Sequence, residues 1–178
     1  MNDVNHSTAW LKMNKSKNID EWLDALRMEQ LASLNLVYAD KDDNIFFVHN
    51  AKSPVRVPNY NWKQVVPGNK SELIWTDFHP FESVPQILNP SSGYIFSTNQ
   101  NPFFVTAKED NLSLSNFNPT MGFQTRTTNR AYRAYELLDA DKSISFSELD
   151  KYKHDNKFSY NSRPVSYTHL TLPTNREV

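Results

Sequence analysis

Residues 50 to 92 constrain the fold more than any other part of this chain, because they offer little periodicity from which to build a regular element. The stretch is rich in Pro, Asn and Ser and carries Trp62 and Trp75 without a helical or strand spacing of apolar residues. The expectation is a long ordered loop, which in a compact domain is usually functional or packs on a neighbouring element. Composition agrees: 10 prolines against only 3 glycines favour extended, irregular connections over tight two-residue hairpins.

At 178 residues the chain has the size of one ordinary domain. Its hydrophobic share is 38%, and with aromatics at 13% much of the buried area should come from Trp, Tyr and Phe. The net charge is −1 and the Lys and Arg residues are scattered. A sequence-independent grip on nucleic acid needs them clustered, so no nucleic acid is expected as partner. No apolar run approaches the roughly 20 residues needed to span a bilayer, so no membrane partner is expected either. Cysteine is absent, which excludes disulfides and thiolate chemistry. The start, Met1-Asn2-Asp3-Val4-Asn5-His6, has no basic segment followed by an apolar one and therefore no signal peptide.

The end of the chain reads differently. Val165-Ser166-Tyr167-Thr168-His169-Leu170-Thr171-Leu172-Pro173-Thr174 matches one translated frame of a transposon-end sequencing adapter. Asn175-Arg176-Glu177 then stand for its index and Val178 for its last codon. Residues 1–163 are taken as the genuine part, and 164–178, His169 included, as a non-native tail.

Within the genuine part, Trp10-Leu11-Lys12-Met13 opens a short apolar-periodic stretch. Asn18 to Met28 is the best early helix, since Ile19, Trp22, Leu23 and Leu26 form one stripe. Asn18 can cap it, and Asp20 and Glu21 suit the positive end of the helix dipole. Leu34 to Asp40 and Asn44 to His49 are β-branched or aromatic runs separated by Lys41-Asp42-Asp43, which predicts a β-hairpin. Gly93-Tyr94-Ile95-Phe96-Ser97 predicts a short strand entering a loop at Asn99-Gln100-Asn101-Pro102. Asn129 to Leu138 predicts a helix with Tyr132, Tyr135 and Leu138 along one side, and Ser145-Phe146-Ser147-Glu148 has the capping-box spacing for another reaching about His154. The sum is one partial α+β domain.

Motifs that would announce chemistry are missing. Asp139 to Glu148 resembles an EF-hand loop, but Ile144 takes the place of the required Gly and the Glu comes two residues early, so a helix start explains it better. His6, His49, His79 and His154 are far apart with no metal-ligand spacing. No nucleophile elbow and no P-loop occur.

The order of segments is what carries a resemblance. Met13-Asn14-Lys15-Ser16-Lys17-Asn18-Ile19-Asp20-Glu21-Trp22 is similar to the "M-x-K-A-x-N-x-x-E-W" helix of the penicillin acylase family. Asn35-Leu36-Val37-Tyr38-Ala39-Asp40 with Asp43-Asn44-Ile45 resembles its "N-x-x-Y-A-D-x-x-G-N-I" hairpin, Asp43 standing where Gly is usual. Val66-Pro67-Gly68 and Asn89-Pro90 with Ser92-Gly93-Tyr94-Ile95 are similar to its "V-P-G … N-P-x-S-G-Y-I" passage. Asn99 with Asn101, then Asn129-Arg130-Ala131 with Arg133, complete a series that runs in the family's order from Trp10 to Leu138.

That resemblance implies an N-terminal-nucleophile hydrolase with an αββα sandwich and long ordered loops, of which this chain is an internal fragment. The family's precursor cleaves itself into two chains and exposes a Ser at the start of the larger, β chain. The nucleophile would then lie upstream, and the partners would be the alpha chain and the N-terminal part of the same precursor. A serine hydroxyl needs a base, and in this family its own α-amino group serves. The implied activity is hydrolysis of linear amides, such as β-lactams or acyl-homoserine lactones, in the periplasm, with no cofactor required for catalysis. The fragment alone would be inactive. Asn99 lines up with the family's oxyanion-hole Asn; a register shifted by two residues would put Asn101 in that place instead. Arg130 lines up with the active-site Arg, where a permanently charged fork suits the role. A structural calcium is common in the family; Asp110 lies in the corresponding stretch, but that match is too loose to carry over. The alternative is a non-catalytic interaction module whose aromatic-rich loops bind a partner.

Overall fold

The structure is a computed structural model and describes residues 5–31, 34–50, 52–163 and 165. All but one residue of the segment read as an adapter tail (164–178) fall outside that description. Among the described residues, four α-helices and three strands are formed in the order α1 (His6–Lys15), α2 (Ile19–Leu26), β1 (Leu34–Ala39), β2 (Ile45–Asn50), β3 (Gln86–Leu88), α3 (Asn129–Ala140) and α4 (Phe146–Lys153). The strands make an open antiparallel sheet with β2 in the middle. This is the expected α+β class, with the sheet left open as in part of an αββα sandwich.

The early helix forms for the reasons its sequence offers. The Asn18 side chain accepts from the Glu21 N–H at 2.9 Å, and the Glu21 carboxylate in turn accepts from the Lys17 N–H at 2.9 Å. Its stripe puts Trp22, Ala25 and Leu26 into the main core together with Phe46, Val48, Phe81 and Val84. Trp22 meets Tyr38 at 5.1 Å and Phe46 edge-on at 6.0 Å between ring centroids. Because strand side chains alternate, Phe47 points the other way and forms a second cluster with Ile87 and Val105. Helices α1 and α2 thus cover one face of the sheet, and the segment following residue 94 covers the other.

The hairpin turn closes on Asp40, whose Oδ1 accepts from the N–H groups of Asp42 and Asn44 at 2.9 and 3.0 Å. Asp43 stands at φ +62°, a left-handed conformation that Gly adopts without steric cost. The departure from the family pattern therefore falls on turn geometry.

Two expectations need correction. The stretch from 50 to 92 is not all loop, because Gln86–Leu88 pairs with Phe46–Val48 as β3. A three-residue strand is too short to display alternation; the pairing comes from β2, helped by the Asn89 side chain, which accepts from the Ile45 N–H at 2.8 Å. Conversely, residues 93–97 form no strand. The Phe96 N–H reaches the Val105 carbonyl at 2.9 Å and the Thr106 hydroxyl reaches the Tyr94 carbonyl at 2.8 Å, so this run is held by a loop folded back on it. Apolar β-formers mark burial here, not ladder pairing.

At the other end, α4 starts with the capping box that the spacing announced: Ser145 and Glu148 exchange backbone bonds at 3.3 and 2.9 Å. The supposed EF-hand acid Asp141 instead accepts from Tyr152 Oη at 2.7 Å and from the Ser143 N–H at 3.0 Å. That bond pushes the Tyr152 phenol up to about 12. Helix α3 is tied to the chain after α4 by Arg133, which makes a two-pronged ion pair with Asp155 at 2.9 and 3.0 Å.

Candidate active site

Two segments far apart in sequence meet at the mouth of one cavity. Asn99 lies in the irregular loop after Phe96, and Arg130 lies in the first turn of α3. The Arg130 guanidinium approaches Asn99 Oδ1 at 3.4 Å. Both side chains line a cavity of about 770 Å³ between the 96–99 segment, α3 and α4. Phe96, Leu137 and Leu138 contribute apolar walls, and Arg133 and Asp155 a charged one. The Arg133 guanidinium holds the Asp155 carboxyl down at about 2, so this wall is a closed ion pair at neutral pH.

The local backbone explains how Asn99 comes to face outward. It stands at φ +64°, in the left-handed region that Asn tolerates better than most residues. Its amide oxygen faces Arg130, and its amide nitrogen has no partner among the described residues. With the oxygen turned to the Arg130 charge, the N–H pair is left as the unused donor. Asn101 is placed otherwise. It is buried, its nitrogen donates to the Thr125 carbonyl at 3.1 Å and Thr127 Oγ1 at 3.2 Å, and its oxygen accepts from the Phe103 N–H at 3.0 Å.

Across the same turn lies a second cavity of about 460 Å³, lined by Asn99, Gln100, Asn101, His49, Arg56 and Arg126 among others. His49 is largely buried, and that burial pushes its imidazole below its usual pKa, toward the neutral form. Arg56 stacks over Trp75 at 5.2 Å and donates to the Thr120 and Met121 carbonyls at 2.7 and 2.6 Å. In sequence His49 stands apart from the other histidines, with no motif to single it out. Its cross-strand partner is Asn35, as a hairpin turning on residues 41–43 requires.

Asp110, in the stretch where the family resemblance puts a calcium, is engaged by its own chain. Asp110 accepts from Ser91 Oγ and from the Ser92 N–H, each at 2.8 Å, so both its oxygens serve the 91–92 turn. Among the described residues no group of three or more His, Cys, Asp or Glu side chains converges as metal ligands would.

An open antiparallel sheet carrying helices on one face defines an α+β scaffold, and an Asn and an Arg from separate segments converge beside it. Comparison with known proteins makes this specific. The family described as penicillin amidase matches residues 2–176, and the chain belongs to that family. It is 36% identical over 94 residues to penicillin G acylase of Escherichia coli, covering 53% of this chain and 11% of that protein. Its fold is similar to that of a thermostable penicillin G acylase from Alcaligenes faecalis, with a TM-score of 0.65 and 23% identity over 94% of this chain and 29% of that one. The chain thus spans well under half the length of either relative. Its family is one of hydrolases of the N-terminal-nucleophile type that act on amide bonds.

Proposed function

We propose that this segment lies within the larger chain of a self-cleaving amide hydrolase and supplies a donor and a supporting cation, while the attacking Ser lies upstream. The reaction is removal of an acyl group from a linear amide, of the kind found in β-lactams or acyl-homoserine lactones. The alpha chain and the N-terminal part of the same precursor complete the enzyme, which by family works in the periplasm. The observation that carries the reading is the convergence of Asn99 and Arg130 at 3.4 Å in a chain of this family. A cation in a first helical turn opposes the helix dipole by about 0.3–1 kcal/mol, so helix stability alone does not account for Arg130.

In this mechanism the amide N–H of Asn99 faces the oxyanion of the tetrahedral intermediate, and Arg130 holds the other end of that amide. Asn101 would serve only if its bonds to Thr125 and Thr127 were remade, which makes Asn99 the first choice. In the longer, processed enzyme, Asn99→Ala should lower kcat on a chromogenic acyl-anilide by about a hundred- to a thousandfold. If Asn101→Ala does so and Asn99→Ala does not, the donor is Asn101. The 178-residue chain alone should show no turnover, and measurable turnover would refute the upstream nucleophile. The boundary at Arg163, with residues 164–178 foreign, belongs to the same proposal and is tested by sequencing the gene past that point.

A further inference from the structure

Between the two asparagines sits a side chain that is neither exposed nor idle. Gln100 is 4% exposed and makes four hydrogen bonds. Its oxygen accepts from the Thr98 N–H at 2.5 Å and from Thr98 Oγ1 at 3.0 Å. Its nitrogen donates to the carbonyls of Phe96 at 3.2 Å and Phe104 at 2.8 Å, which joins the two ends of the loop that carries Asn99. From outside, Asn35 Nδ2 donates to the Gln100 carbonyl at 2.9 Å, and Asn35 Oδ1 meets His49 Nδ1 at 2.7 Å. Asn35 and His49 lie directly opposite each other on β1 and β2. Since the Asn35 nitrogen must face a carbonyl, its oxygen faces His49, and the proton between them belongs to His49 Nδ1. The brace is therefore complete with a neutral imidazole.

We infer that Gln100 is a positioning residue for the Asn99-Gln100-Asn101 turn, with Asn35 as its brace from the sheet; this rests on the donor reading proposed above. Hydrogen bonds inside a folded chain add modest net stability, but a fully satisfied buried network admits only one geometry. An oxyanion donor needs that kind of constraint, because its benefit depends on lying within about 2.7–3.1 Å of the charge that develops. The left-handed backbone at Asn99 is held between two bonds of one amide, Gln100 to Phe96 and Gln100 to Phe104. Asn at this position would be too short to span them, and ionised Glu would lack the donors.

The test uses the longer, processed enzyme. Gln100→Met keeps the volume and removes the four bonds. It should lower kcat on the acyl-anilide about ten- to a hundredfold with KM within about twofold, as expected for a displaced catalytic group. Introduced beside whichever Asn→Ala variant is itself impaired, it should cause no further loss, because the donor it aims is already gone. Asn35→Ser removes only the outer brace and should lower kcat about three- to fivefold with the same non-additivity, so the inference stays testable if the Met variant fails to fold. Parental kcat in every folded variant of the two overturns it, and so does an equal loss in the Asn→Ala background. If Asn99→Ala and Asn101→Ala both retain parental kcat, the donor reading fails first and takes this inference with it.

Discussion

The helix–hairpin layer, residues 5–31 and 34–50, and the loop that carries the proposed donor, residues 93–112, are held together by different forces. In the first, the contacts are apolar: Trp22, Leu26, Phe46 and Val48 are buried in one cluster. In the second, amide side chains do the fastening. Asn111 alone accepts from the N–H groups of Val105 and Thr106 at 2.8 and 3.3 Å and donates to the carbonyls of Thr106 and Ala107 at 3.0 Å each. Gln100 and Asn101 treat their own loops in the same way. Apolar burial is non-directional and supplies stability, whereas hydrogen bonds have narrow geometry and supply position. A site that must aim a donor is better built from the second.

The largest effect should come from cutting the apolar side. Trp22→Ala should destabilise the fold by about 3–5 kcal/mol, read from the denaturant midpoint. If instead it costs no more than a surface change, the core does not lie where the contrast puts it. Asn111→Ala should cost about 1–3 kcal/mol and raise hydrogen exchange at Val105 and Thr106 while leaving β1 and β2 protected. Uniform loss of protection would show that the two regions are not separable. Ser145→Ala removes a cap on α4 and should cost about 1 kcal/mol, confined to that helix by exchange.

Acid should act on the α3–α4 side before it acts on the apolar layer. The Asp155 carboxyl is held at about 2 by its bond to Arg133, well below its unfolded value. Its stabilisation is therefore fully present above the ordinary carboxylate range and is lost as pH falls toward and through about 2. Asp155→Asn should flatten that part of the stability profile, measured by urea unfolding across the acid range. The smallest effect is expected at the hairpin turn: Asp43→Gly removes a left-handed aspartate and should raise stability by less than about 1 kcal/mol.

Much of the fold was legible before any coordinates. The cap at Asn18, the stripe through Trp22, the two strands around Lys41-Asp42-Asp43 and the capping box at Ser145 are local codes, each complete within a few residues. The failures share one cause. Residues 86–88 became a strand because β2 offered an edge, and residues 93–97 did not because their partners were loop carbonyls and a threonine hydroxyl. The site divides likewise. Asn99 and Arg130 could be named from segment order, but nothing local to either tells that they approach to 3.4 Å.

By itself, then, the sequence determined what short-range chemistry can write: where helices cap, where strands alternate, and which family's order of segments the chain follows. Tertiary structure decided which edge β3 joins, which face of the sheet Phe47 covers, and how Gln100 and Asn35 brace the turn between the candidate donors. The physical reason is range. Capping and periodicity act over one or two turns, whereas a buried amide such as that of Gln100 is defined by partners that only the folded chain brings within hydrogen-bonding distance.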